Sequence, residues 1–131
     1  MLELIAGPCS AESKEQILST AKEISTIGGI NWFRAGIWKP RTRPNHFEGV
    51  GVKGLRWLSE VKKQTPLKVM TEVGTPSHIE KCLEHSIDGL WIGARTTTNP
   101  FYVQELAESL KGVNIPIFIK NPLNPDIKLW V

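Results

Sequence analysis

The feature that most constrains this chain is a repeated alternation of short apolar runs with stretches of helical spacing. Residues 2–6 (LELIA) read as a first strand. Ser13 then opens a capping box with Gln16, and Ile17, Leu18, Ala21 and Ile24 continue one helical face until Gly28 and Gly29 stop it. Ile30–Arg34 is a second strand, and Leu55, Leu58 and Val61 mark a second helix. Residues 68–72 (KVMTE) form a third strand. Thr75-Pro76 is a cap followed by proline at the first helical position, with Ile79 and Leu83 behind it. Gly89–Ile92 is a fourth strand, and Asn99-Pro100 repeats the cap-proline signal before Val103, Leu106, Ala107 and Leu110. Residues 115–119 are a fifth strand, after which Asn124-Pro125-Asp126 starts one more helix.

Strands alternating with helices through short connections imply parallel pairing and right-handed crossovers. Five strands fit either an open doubly wound sheet or part of a (β/α)8 TIM barrel. No G-x-G-x-x-G follows the first strand, so a dinucleotide-binding sheet has no direct support. A complete barrel typically needs ~250 residues, and this chain has 131. The expectation is a single unit over residues 1–131: the first five β/α units of a larger barrel, N-terminal to the rest. Standing alone, such a half-barrel exposes strand edges and an apolar inner face.

Composition excludes some classes. At 40% hydrophobic and 22% charged residues the chain is globular. A net charge of +3 does not by itself imply nucleic acid. No apolar run approaches the ~20 residues of a membrane span, and the N-terminus lacks the features of a signal peptide. Cys9 and Cys82 sit in different contexts, which suits a cytoplasmic chain with free thiols. Cys82, in helical register with Ile79, reads as core or semi-exposed.

The basic excess is local. Arg34, Lys39, Arg41 and Arg43 fall within ten residues, with no acid before Glu48, on a loop stiffened by Pro40 and Pro44. A merely solvated loop has no need of rigidity. Arginine grips phosphate or carboxylate with a planar fork, and lysine adds a compact point charge. The other strand ends continue the theme. The first runs into Gly7-Pro8-Cys9-Ser10, the third ends in Thr71-Glu72, the fourth in Gly93-Ala94-Arg95 and the fifth in Lys120-Asn121-Pro122. In a parallel barrel the C-terminal strand ends share one face, where barrel active sites lie. The set describes a site for phosphorylated, anionic substrates. Each residue also has a plainer reading: Cys9 as a small buried hydrophobe, Glu72 as an ion-pair partner, Arg95 at a helix C-terminus, Lys120 as merely exposed. His46, His78 and His85 read as surface or helix residues, and Trp38 walls the site or simply packs.

At these residues the chain resembles the 3-deoxy-D-arabino-heptulosonate-7-phosphate (DAHP) synthases, in their short type I branch. Ile5-Ala-Gly-Pro-Cys9-Ser10, Phe33-Arg34-Ala-Gly followed by Lys39-Pro-Arg-Thr42, Trp91-Ile-Gly-Ala-Arg95 and the Lys120 strand end carry the likeness. The resemblance implies a TIM-barrel transferase that condenses phosphoenolpyruvate with erythrose 4-phosphate and releases phosphate, the first step of the shikimate pathway toward chorismate and the aromatic amino acids. It implies that Arg34, Lys39, Arg95, Lys120 and the Ala94 N–H hold phosphoenolpyruvate, and that Pro40, Arg41 and Thr42 bind the aldose phosphate. It also implies that Lys39 donates a proton, that Glu72 lies near the attacking water, and that Cys9 is one ligand of a divalent metal such as manganese, iron or zinc. A homo-oligomer at full length, with a fused or associated chorismate mutase in some members, belongs to the same picture.

The family's other metal ligands and a further phosphate-binding arginine are expected on later strands. One thiolate cannot hold a catalytic metal, so this chain on its own is expected to be inactive. Three alternatives stand beside this reading. The sister enzyme 3-deoxy-D-manno-octulosonate-8-phosphate synthase typically carries a Lys-Ala-Asn-Arg-type loop where this chain has Lys39-Pro-Arg-Thr42. A non-catalytic anion-binding half-barrel explains the missing metal shell. An RNA-binding module built on the basic loop is disfavoured by the adjacent carboxylate and the lack of a nucleic-acid motif.

Overall fold

The computed structural model describes residues 2–39, 45–124 and 126–131, the side chain of Leu129 excepted. In chain order the elements are β1 (Leu4–Ala6), α1 (Lys14–Ser25), β2 (Ile30–Arg34), α2 (Val52–Gln64), β3 (Lys68–Val73) and α3 (Pro76–Glu84). They continue with β4 (Gly89–Ile92), α4 (Ala94–Thr97), α5 (Pro100–Ser109), β5 (Ile117–Ile119) and α6 (Ile127–Trp130). The five described strands form one parallel sheet in sequential order, β1-β2-β3-β4-β5. Each strand pairs with the next, as in the first five β/α units of a (β/α) barrel, and β1 and β5 are its two edges.

The helices start where the cap chemistry puts them. The Ser13 hydroxyl accepts the Gln16 N–H at 3.1 Å, and the Gln16 side chain accepts the Glu12 N–H at 2.8 Å. Thr75 accepts the His78 N–H at 3.3 Å ahead of Pro76. Asn99 accepts the N–H groups of Phe101 and Tyr102 ahead of Pro100. Each such cap is worth about 1 kcal/mol.

Strand alternation sorts the sheet into two faces. Phe33, Val69, Val73, Leu90 and Ile92 point at the helices and join Ile17, Ala21, Leu55, Leu58, Val61, Ile79, Cys82 and Leu106 in the main core. Trp32, Met70 and Trp91 form a second cluster with Phe118 on the opposite, inner face. Trp32 and Phe118 meet edge to face, with centroids 5.8 Å apart. Two residues beyond each of these four inner residues, on the same face, come Arg34, Glu72, Gly93 and Lys120. The inner face thus changes from aromatic to charged in a single step toward the C-terminal strand ends.

Two strands are shorter than the sequence patterning predicts. β1 begins at Leu4, since Leu2 and Glu3 lie exposed beyond the end of β2 pairing. β5 begins at Ile117, because Pro116 has no N–H to give and pairs only through its carbonyl, which accepts from Leu90 at 3.1 Å. α4 is an addition where the sequence showed only a strand end. No described helix is long and apolar enough to cross a membrane.

Candidate active site

Cys9, Arg34, Lys39, Glu72, Ala94, Arg95 and Lys120 line one cavity of about 160 Å³ at the C-terminal strand ends, with Trp91 as its floor. These are all of the sequence-predicted site residues that lie within the described part of the chain. Pro40, Arg41 and Thr42 lie outside the described residues. Five separate strand-to-loop transitions therefore deliver their charged, thiol or backbone groups to one place.

The local geometry fixes each group. Arg34 ends β2 and lays its guanidinium over Trp91, 4.6 Å from the ring centroid. Its Nε is buried without a hydrogen-bond partner among the described residues, as is the Ser10 hydroxyl beside Cys9. An unpaired buried donor costs free energy unless something accepts from it. Thr71 donates its hydroxyl to the Ala35 carbonyl at 2.8 Å and ties β3 to the chain leaving β2. Glu72 lies against Gly93, where a β-carbon would collide with the carboxylate. Lys120 donates its backbone N–H to Ile92 O at 3.0 Å. Ala94 and Arg95 open α4, where first-turn N–H groups have no partner within the helix.

Lys39 is the buried cation of the set, 9% exposed. Its ammonium lies 3.2 Å from the Cys9 sulfur and crosses Gly36, where a β-carbon would stand 2.7 Å from the nitrogen. The Lys39 hydrogen bond, helped by the charges of Lys39 and Arg34, holds the exposed Cys9 thiol below its usual range. Cys82 is the opposite case: burial in the core pushes its thiol up to about 12. Arg34, Glu72, Arg95 and Lys120 form no ion pair among the described residues. Cations this close and unneutralised suit an incoming multiply charged anion.

The donor set does not suit a resident metal. Among the described residues no three of His, Cys, Asp and Glu converge, and the Cys9 sulfur already faces an ammonium. One thiolate is too few ligands to hold a divalent ion.

Two residues at the site carry no sequence signal for the place they take. The ring of His78, in the first turn of α3, stacks on Trp38 with centroids 3.9 Å apart and planes 3° from parallel. Gly93 matters because of its missing side chain, which nothing in a glycine count reveals.

The fold and the cavity define a partial (β/α) barrel that gathers cations and one carboxylate at its C-terminal strand ends. The chain belongs to the DAHP synthetase I family, whose model matches residues 1–130. It is 36% identical over 117 residues to the phospho-2-dehydro-3-deoxyheptonate aldolase of Thermotoga maritima, covering 89% of this chain and 33% of that protein. It is 34% identical over 120 residues to the 2-dehydro-3-deoxyphosphooctonate aldolase of Methylobacillus flagellatus, covering 87% of this chain and 43% of that protein. The crystal structure of the Thermotoga maritima DAHP synthase superposes with a TM-score of 0.78 at 30% identity, over 98% of this chain and 34% of the other. The chain thus spans between a third and a half of the length of the relatives it matches.

Proposed function

We propose that residues 1–131 are the N-terminal five β/α units of one catalytic barrel that condenses phosphoenolpyruvate with an aldose phosphate, erythrose 4-phosphate being the substrate the loop favours. The observation that carries this is the convergence of Arg34, Lys39, Arg95 and Lys120 with Glu72 around one cavity. Phosphoenolpyruvate places a carboxylate and a phosphate ester on the same carbon. Arg34 and Lys120 on the inner face and Arg95 with the Ala94 N–H at the start of α4 approach such a ligand from several sides. The buried Nε of Arg34 gains its missing acceptor in the process.

In the reaction, C3 of the enol bonds to the aldehyde carbon and the carbonyl π electrons move to the aldehyde oxygen. Lys39 gives that oxygen a proton. Water adds at the cationic C2 and Glu72 takes its proton. The C2–O bond to phosphate then breaks as the C2 hydroxyl oxygen forms the keto group, its proton leaving with the inorganic phosphate. The cations stabilise charge that was present in the substrate and redistributes along this path. Pro40, Arg41 and Thr42 bind the aldose phosphate. In the family a divalent metal polarises the aldehyde. Among the described residues no three metal-binding side chains converge, and Cys9 is the one the resemblance assigns to the ion.

Relatives of both substrate types match the chain. The Lys39-Pro-Arg-Thr42 loop favours the four-carbon sugar over arabinose 5-phosphate. In the complete enzyme, phosphate release from phosphoenolpyruvate should therefore depend on erythrose 4-phosphate, with arabinose 5-phosphate a poor substitute. Arg41→Ala should weaken aldose-phosphate binding by about 1.5–3 kcal/mol and leave phosphoenolpyruvate binding nearly unchanged. Equal loss for both substrates, or preference for the five-carbon sugar, would overturn the assignment.

A further inference from the structure

We infer that His78 is a positioning residue for Lys39, acting through a stack with Trp38. The role of Lys39 in chemistry rests on the function proposed above; the mechanical link does not.

Lys39 has a demanding task for a long side chain. Its ammonium must reach the Cys9 sulfur at 3.2 Å while the chain lies back across Gly36. A small rotation of the backbone at its root moves the ammonium by several times as much. The root is held on one side by the returning loop: Lys39 N–H donates to Glu48 O at 2.8 Å, and Gly51 N–H donates to Ile37 O at 2.9 Å. These bonds flank Trp38 but do not fix rotation about the line joining them. The Trp38 ring supplies the missing constraint, because Trp38 and Lys39 share one planar peptide.

His78 is what the ring rests on. The two planes lie 3° from parallel at 3.9 Å. The imidazole is itself locked, since Gly74 N–H donates to Nδ1 at 3.2 Å. Gly74 directly follows β3, and Glu72 is two residues earlier, so the stack references the basic loop to the strand that carries the carboxylate. A second cavity of about 400 Å³, lined by Trp38 and His78, shares Lys39 and Glu72 with the first. His78 has no hydrogen bond to either of these side chains among the described residues. None of the condensation steps uses it.

Lys39 placement can be read without turnover, through Cys9. The ammonium accelerates alkylation of that thiol by favouring the thiolate, while Cys82 is fully buried with its thiol pushed up to about 12 and stays silent. The experiment measures iodoacetamide labelling of Cys9 at one neutral pH with chelator in every arm. Lys39→Met sets the rate with no ammonium present. His78→Ala should slow labelling about three- to tenfold, toward the Lys39→Met rate. His78→Phe restores a flat ring and should return the rate to within about twofold of the parent. Trp38→Leu breaks the same stack from the other side and should match His78→Ala, and it carries the test should His78→Ala not fold. Labelling at the parent rate in Trp38→Leu and His78→Ala, or a His78→Phe protein as slow as His78→Ala, overturns the inference. A protein that never releases phosphate sinks the condensation reading and leaves this labelling comparison intact.

Discussion

The two ends of the sheet treat charge in opposite ways. At the N-terminal strand ends a part-buried ion pair knits the fold. Asp88, just before β4, receives the Lys62 ammonium at 2.7 Å on one oxygen and the Val69 N–H at 2.9 Å on the other. Lys62 also reaches the Ser86 carbonyl at 2.6 Å. These bonds tie α2 and the α3–β4 turn to β3. At the C-terminal ends Arg34, Arg95, Lys120 and Glu72 have no ion pair among the described residues, and two buried polar atoms lack partners. One end uses charge to hold the fold together. The other leaves charge unpaired, which the proposed function reads as readiness for an anionic ligand.

Substitutions should separate the two ends cleanly. The largest effect belongs to the mouth. In the complete enzyme, Lys39→Met should lower condensation turnover about 10²–10³-fold while the thermal midpoint changes little, since removing one preorganised transition-state donor has that scale. A fall in stability as large as the fall in rate would erase the distinction. Next comes the base. Asp88→Ala should destabilise by about 1–2 kcal/mol, the pair being partly exposed, and leave turnover per folded molecule unchanged. Chemical denaturation with a parallel phosphate-release assay checks both.

A smaller effect concerns acid. Burial holds His78 below the ordinary histidine value of 6.5. The folded state therefore binds fewer protons than the unfolded one as pH falls. The stability that His78 contributes is complete above that value, declines as pH drops through the lower folded value, and levels off beneath it. His78→Phe should flatten this part of the profile between pH 7 and 5; an unchanged profile would assign the decline to other groups. The smallest expected signal is metal content. With Cys9 as the single placed donor, elemental analysis of the 131-residue chain should find well below one equivalent. A stoichiometric ion would show that the mouth is built differently.

Much of the fold was legible because it rests on local rules. Ile30–Arg34 and Gly89–Ile92 fall where apolar runs put them, and the three caps at Ser13, Thr75 and Asn99 start their helices as written. β3 runs one residue past its expected end, to Val73. α4 was not legible. Its two threonines are mediocre helix formers, and the turn is held by the Thr97 hydroxyl, shared between Gly93 O at 3.0 Å within the turn and Lys120 O at 3.1 Å beyond β5. The convergence of the strand-end residues on one cavity followed from parallel topology. The Trp38–His78 stack could not be foreseen. The residues are distant in sequence, and neither helical spacing nor charge pattern marks a face-to-face ring pair.

The contrast between the two ends is tested most directly by thermal unfolding with and without phosphoenolpyruvate. A ligand that binds only the folded state stabilises it by about 2.7 kcal/mol at a hundredfold excess over its dissociation constant. The parent chain and Asp88→Ala should show the same upward shift in midpoint, from different starting temperatures. An Arg34→Gln, Lys120→Gln double variant should start no lower than the parent and shift little. Equal shifts in all three proteins, or a double variant that unfolds earlier without ligand, would mean that the mouth cations serve the fold and not an anion.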